Sequence, residues 1–298
     1  MNISCIILNY NDAGTTISLV RSIRDYEVLD SIVVVDNHST DDSAGKLTAL
    51  AGGKVHVILS EKNGGYGYGN NLGIRYARQN LHATHVLIAN PDVKVSEECI
   101  RALKTSFSKT DRLAVAAAVA TDGTGAITLS SWRLNGLLFD LLDTGLITRR
   151  LLKRRLNDRP ELKADLKNAK RGGERCAYVD AVAGSLLMAD LHALMECGLY
   201  DEEVFLYYEE KILGFKLREK GYRTVLLLNR SYVHLHSVTV DKNVKSILKK
   251  QALLHKSKLH YYKNYLGINR FQECLVRVFL GVLMAEIWFL TEIAGLSW

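Results

Sequence analysis

Through the first hundred residues, apolar positions come in compact blocks of five or six, and between the blocks they recur at helical spacing. The blocks, residues 3–8, 31–35, 55–59 and 85–89, are dense in Ile, Val and Leu and predict buried strands. The stretches between and after them, 15–26, 41–51, 68–78 and 96–107, predict helices. Alternation of this kind predicts one parallel sheet with helices on both faces, because such crossovers are almost always right-handed. The carboxyl ends of the strands then share an edge, which brings Asn9, Asp36, Asn63 and Asp92 to one cleft.

Beyond Leu113 the pattern changes. Residues 114–120 and 126–129 flank the turn Asp122-Gly123-Thr124-Gly125 and predict mixed sheet. Residues 135–175 predict basic helices broken at Pro160, residues 178–189, 222–228 and 231–235 further strands, and residues 209–220 an amphipathic helix closed by Gly221. Residues 1–240 thus read as one α/β domain with a strand–helix half, 1–112, and a mixed half, 113–240. Residues 241–298 differ in kind. Lysines crowd positions 245–263, and Arg277, Glu286 and Glu292 interrupt the apolar tail 271–296 before any run reaches the ~20 apolar residues of a spanning helix. This predicts a helix pair that does not cross a bilayer and lies either in a membrane interface or against protein, including a second copy of the chain.

Composition adds few constraints. At 298 residues, 48% hydrophobic and 24% charged, the chain is an ordinary globular protein. Cys5, Cys99, Cys176, Cys197 and Cys274 form no C-x-x-C pair, which argues against a zinc ribbon or a disulfide framework and for a reducing compartment. The opening segment reads as a first strand rather than a signal peptide, so the expected location is the cytoplasm. The net charge of +7 is local: residues 149–175 hold eleven Lys/Arg against four Asp/Glu. Such a segment attracts lipid headgroups, an anionic substrate or nucleic acid, or is simply a solvated helix face.

Candidate chemistry gathers at the predicted strand ends. Pro91 stops the fourth strand and turns Asp92 out of the sheet edge, where a lone carboxylate suits a divalent cation and, through it, a diphosphate. Asp36 ends the second strand; it can read a base or a ribose hydroxyl, or merely cap the following helix. The run from Asn63 through Gly64, Gly65, Gly67, Gly69 and Asn70 lets backbone amides approach an anion, yet it fits no G-x-G-x-x-G register, which disfavours a nicotinamide-dependent oxidoreductase. Glu209 and Glu210 open a helix beside Tyr207 and Tyr208. First-turn acids complement the macrodipole, and one of them can also act as a general base. His234 and His236 alternate across a late strand, so one of them can complete a metal shell with Asp92.

Read in order, Ile7-Leu8-Asn9-Tyr10-Asn11, Val33-Val34-Val35-Asp36-Asn37, Asn63-Gly64-Gly65-Tyr66-Gly67, Asn90-Pro91-Asp92-Val93, Gly184-Ser185, Phe205-Leu206-Tyr207-Tyr208-Glu209-Glu210 and His234 resemble the successive motifs of family 2 glycosyltransferases, particularly the bacterial rhamnosyltransferase-like branch. The resemblance covers about residues 3–240. It implies a GT-A fold, in which a Rossmann-like nucleotide-binding half joins a mixed central sheet. It also implies inverting transfer from a nucleotide sugar, dTDP-rhamnose or a UDP-sugar, to a hydroxyl of a lipid-linked or cell-surface glycan acceptor. Asn9, Tyr10, Asn11, Asp36, Asn37, Asn63, Gly64, Gly65, Asn70, Asn90 and Asp92 would line the donor pocket. Asp92 with His234, or with His236, would hold Mg²⁺ or Mn²⁺, Glu210 would take the acceptor proton, and Tyr208, Glu209, Gly184, Ser185, Trp132 and Arg133 would stand on the acceptor side.

Such an enzyme would work peripherally at the inner face of the cell membrane through residues 241–298, alone or as a homo-oligomer, with no nucleic-acid partner. Two departures qualify the match. Glu209-Glu210-Lys211-Ile212 stands where the family usually has Glu-Asp-Val-Asp, which lengthens the base by a methylene and removes the downstream acid. The metal motif has one carboxylate in place of two, so metal binding would depend on the substrate. The altered acid motif motivates a second reading, a non-catalytic nucleotide-sugar-binding or scaffold subunit.

Overall fold

The computed structural model describes residues 1–146, 148, 151, 175–235 and 246–293. Strands β1 (Ile3–Asn9), β2 (Ser31–Asp36), β3 (Val55–Leu59) and β4 (His85–Ala89) pair in parallel in the order β3-β2-β1-β4, as the apolar blocks predict. Between them lie helices α1 (Ala13–Ile23), α2 (Ser43–Thr48) and α3 (Gly65–Leu81). After β4 come the short β5 (Val93–Lys94) and α4 (Glu97–Lys109), whose start is set by Ser96 accepting the Cys99 N–H and by Glu97 and Glu98 in the first turn.

Helix α3 begins inside the glycine run, three residues before the predicted start. Its glycines serve close packing: a Cβ at Gly69 would lie 2.3 Å from Leu8 Cδ1, and one at Gly73 2.5 Å from Ile6 Cγ2. Tertiary contact here outweighs the poor helix propensity of glycine.

The second half comprises β6 (Leu113–Thr121), β7 (Ser131–Trp132), α5 (Leu137–Thr144), β8 (Cys176–Val179), β9 (Ala181–Val182), β10 (Leu186–Asp190), α6 (Leu191–Glu196), α7 (Glu209–Glu219) and β11 (Arg223–His234). β10 is wedged antiparallel between β4 and β6, and β11 runs parallel to β6. β5 and β8 pair antiparallel with β11, while β7 and β9 form a separate ribbon. Three expectations change. The predicted strand 178–189 breaks into three, and 222–228 fuses with 231–235 into β11 across an irregularity between Leu227 and Ser231. Residues 126–129 form no strand beyond a bridge from Thr121 to Ile127, because the Asp122 carboxylate gathers the Thr124 and Ala126 amides into a turn. The predicted break at Pro160 and most of the basic segment lie outside the described residues.

A core lies on each face of the sheet. Ile7 points to the side of Leu19, Ile23 and Leu103, and its neighbour Ile6 to that of Ile74, Leu213 and Leu217, as strand alternation requires. A third cluster joins Tyr208 and Ile212 to the C-terminal pair α8 (Ile247–Asn264) and α9 (Arg270–Trp288) through Tyr261, Tyr262, Val276 and Leu280. The opposite face of α9 is apolar and uncovered: Phe271, Leu275, Val278, Val282 and Phe289 are all exposed. The helix continues to Ile293, and its apolar window has a mean hydropathy of 1.9. By length and composition alone it is long and apolar enough to cross a bilayer, with Arg277, Glu286 and Glu292 within it.

The packing of α3 makes a stability prediction. Gly73→Ala would press a methyl against Ile6 Cγ2 at 2.5 Å and Val35 Cγ2 at 3.1 Å, both on packed strands. The substitution should cost about 1–3 kcal/mol, read as a lower urea midpoint at unchanged slope.

Candidate active site

Because β1, β2, β4, β6 and β11 share one direction, Asn9, Asp36, Ala89 and His234 lie along one edge of the sheet, together with the start of the reversed β10. The Asn90-Pro91-Asp92 turn is pinned there from both sides. Asn90 N–H donates to the Ser185 carbonyl at 2.8 Å, and Leu235 N–H to the Asp92 carbonyl at 3.1 Å. Asp92 is 6% exposed, and its Oδ1 lies 3.3 Å from His234 Nε2. Asp92 and His234 are therefore in direct contact, whereas His236 lies outside the described residues.

The donor-side residues form a connected polar network. Asn9 is fully buried; its Nδ2 donates to Asp36 Oδ1 at 2.8 Å and its Oδ1 accepts from Thr16 at 2.8 Å. Asp36 also takes the Ser39 N–H at 3.1 Å, so it caps its own loop, and Asn9 acts through it. Half-buried Tyr10 leads into Asn11, which holds φ 52° and exchanges hydrogen bonds with Thr40. Asn37 Nδ2 donates to Asn63 Oδ1 at 2.9 Å and to the Gly65 carbonyl at 3.1 Å. The Oδ1 atoms of Asn37 and Asn70 are buried without a partner among the described residues.

Gly65 and Tyr66 are a correction to the glycine-run expectation. Gly65 N–H is taken by Asn63 Oδ1 and Tyr66 N–H by the Phe205 carbonyl at 2.9 Å, so these amides serve the protein rather than an anion. A Cβ at Gly65, where φ is +90°, would lie 2.2 Å from Phe205 O. The run therefore buttresses the segment that leads to the acids, while a side chain at Gly64 would strike the Tyr68 ring.

Those acids open α7 after an unusual turn: Tyr207 and Tyr208 both hold φ 71°, a left-handed conformation costly for any L residue with a side chain. Glu210 Oε1 accepts the Gly184 N–H at 3.3 Å, and Tyr66 OH donates to the Gly184 carbonyl at 2.7 Å. Glu209 is 4% exposed, with Oε1 unpartnered among the described residues. Burial raises both carboxyl pKa values, and the charge of Glu210 raises that of Glu209 further, while backbone amides and Lys211 pull Glu210 back.

Beside them, Ser185 Oγ and Tyr232 OH lie 2.6 Å apart. Burial raises the Tyr232 phenol, and the charges of both Glu210 and Asp92 raise it further, so this hydroxyl stands within electrostatic reach of the two acids. The only sequence signal for Tyr232 is its two-residue spacing from His234 on β11. Trp132 stands on the β7–β9 ribbon and exposed Arg133 directly follows it; there Ala183 N–H bonds the Ser130 carbonyl at 3.0 Å, next to Gly184.

The sequence profile described as Glycosyl transferase family 2 matches residues 4–160. The chain is similar to the low-salt glycan biosynthesis hexosyltransferase Agl10 of Haloferax volcanii, at 28% identity over 223 residues, which are 74% of this chain and 62% of that protein. It thus spans less than two-thirds of that relative's length. Among solved structures it is similar to the mannosyltransferase PcManGT from Pyrobaculum calidifontis in complex with GDP-Man and Mn²⁺, with a TM-score of 0.58 and 13% identity over 99% of this chain and 76% of that one. It is also similar to GalNAc-T7 with UDP, GalNAc and Mn²⁺, with a TM-score of 0.55 and 16% identity over 99% of this chain and 57% of that one. The mixed central sheet flanked by helices is the GT-A fold, as expected.

The buried acids leave a pH signature. With its pKa raised, folded Glu209 keeps a proton that the unfolded chain releases near 4.5, so its contribution to stability declines as pH climbs from there to the folded value. Glu209→Gln should therefore raise the unfolding midpoint at pH 8 and change it little at pH 4.5, measured by thermal melts at the two pH values.

Proposed function

The chain belongs to glycosyl transferase family 2, and we propose that it is a catalytic member, an inverting enzyme that moves a sugar from a nucleotide donor to a hydroxyl of a lipid-linked or cell-surface glycan. One observation carries this reading. Glu210 accepts the Gly184 amide, and the Asn90 amide of the Asp92 turn donates to the adjacent Ser185 carbonyl, which supports a base and a diphosphate-side carboxylate working on one stretch of the sheet edge.

In the proposed reaction Glu210 takes the proton of the acceptor hydroxyl, and the freed oxygen attacks the anomeric carbon from the face opposite the nucleotide. The bond from that carbon to the diphosphate oxygen breaks, its electron pair leaves with the nucleoside diphosphate, and the configuration inverts without a covalent sugar–enzyme intermediate. Burial raises the proton affinity of Glu210, which strengthens it as a base, and Lys211 favours its ionised form. The Asn9–Asp36–Asn37 network shapes the nucleoside side. dTDP-rhamnose and UDP-sugars are the donors we propose.

Asp92 and His234 supply one carboxylate and one imidazole, a donor set that suits Mn²⁺ or Mg²⁺. Among the described residues no group of three or more His, Cys, Asp or Glu could hold a metal by itself. Asp92 and His234 would hold the cation, and it would neutralise charge on the departing nucleotide. Location follows from α9, whose uncovered apolar face we assign to the inner surface of the cell membrane.

Three variants test this reading. Glu210→Gln should cut Mn²⁺-dependent nucleotide release from the donor by roughly 100- to 10,000-fold while leaving its thermal shift with nucleoside diphosphate and Mn²⁺ intact. Asp92→Asn should abolish that shift, and nucleotide binding without any turnover by the wild type would instead mark a scaffold subunit. Val278→Glu with Val282→Glu should end co-sedimentation with vesicles containing anionic lipid. If this double variant instead dissociates a dimer in size-exclusion chromatography, the face contacts a second copy.

A further inference from the structure

Among the described residues outside the proposed reaction centre, the carboxylate with the most side-chain partners is Asp140, on α5. It is 2% exposed and gathers the phenols of Tyr208 and Tyr262 and the ammonium groups of Lys211 and Lys258. Tyr262 OH lies 2.7 Å away and Lys258 Nζ 3.4 Å, with Lys258 Nζ also donating to the Asp140 carbonyl at 3.3 Å. Lys211 and Lys258 stand over the Tyr208 ring, 4.8 and 5.4 Å from its centroid. Burial works against ionisation of Asp140, yet the two lysines hold its pKa at about 2, and burial brings Lys258 down to about 8.

Tyr208 and Lys211 are the residues immediately before and after Glu209-Glu210. We propose that Asp140 is a positioning residue for the acid pair: by binding the residues on both sides of it, Asp140 holds the first turn of α7 where Glu210 meets the Gly184 amide. This rests on the reading of Glu210 as the base.

Two further observations support the clamp. Tyr208 sits at the helix start with φ 71° and no side-chain cap, as does Tyr207 in φ, and such strain persists only where surrounding contacts impose it. The Tyr208 phenol on Asp140 is such a contact. A buried ion cluster is also a poor way to gain stability, since well-packed apolar side chains of similar volume serve as well or better. Its advantage is a defined geometry. The clamp further gives Lys211, which stands where the family usually has an apolar residue, a job in the site.

The test uses the full-length protein and the variant Tyr208→Phe/Lys211→Met, which cuts both ties on α7 but leaves Asp140 paired with Lys258 and Tyr262, so the buried charges stay balanced. Nucleotide release from dTDP-rhamnose or UDP-glucose with Mn²⁺ is measured well below each protein's own melting temperature, with Glu210→Gln alongside. The expected result is a kcat lower by about 10- to 100-fold with donor KM within twofold of wild type. An unchanged kcat overturns the clamp whatever the melting temperature, and so does a donor KM that rises in step with the loss, which marks general disorder of the pocket. Full activity of Glu210→Gln sinks the reading of the base, and the clamp with it. Loss in Glu210→Gln beside full activity in the double variant sinks the clamp alone.

Discussion

The site depends on the direction of one strand. Parallel strands offer their carboxyl ends to the ligand edge, whereas an antiparallel strand placed among them offers its beginning. β10 lies between β4 and β6 with opposite sense, so Gly184 and Ser185, which lead into it, arrive beside Asn90 and Asp92. Gly184 presents its amide to Glu210 from there. Without this reversal Glu210 and the Asp92 turn would not bond to adjacent residues.

The residues explain which parts of this were legible in the sequence. β1, β2 and β4 are buried on both faces, so they appear as compact apolar blocks, and Pro91 marks the turn that carries Asp92. The direction of β10 leaves no such trace. Residues 178–189 look like one strand because apolar residues dominate on both sides of Asp180, Gly184 and Ser185, while the break at Asp180 is set by its carboxylate accepting the Leu134 amide, 46 positions away. The glycine run announced a close approach but not its partner, which is the Phe205 backbone rather than a phosphate. Asp140 was hidden for a similar reason: in a short amphipathic helix it reads as solvent-facing, and the lysines that bury it stand 71 and 118 positions away.

Ionisable groups are thus buried at two neighbouring places for different ends. Glu209 and Glu210 lose solvation at the proposed reaction centre, where a raised proton affinity would serve a base. Asp140, Lys211 and Lys258 compensate one another behind it, where fixed geometry is useful. The strained Tyr207-Tyr208 turn lies between the two groups, and its backbone conformation is held from the second for the benefit of the first.

The helix pair that bears the apolar stripe also contributes Lys258 and Tyr262 to the Asp140 cluster. It is therefore not an exchangeable appendage. A chimera that borrowed its tail from another protein would leave Asp140 without Lys258 and Tyr262, with Lys211 as its remaining counter-charge, and any displacement of α8 would reach the acids through that cluster.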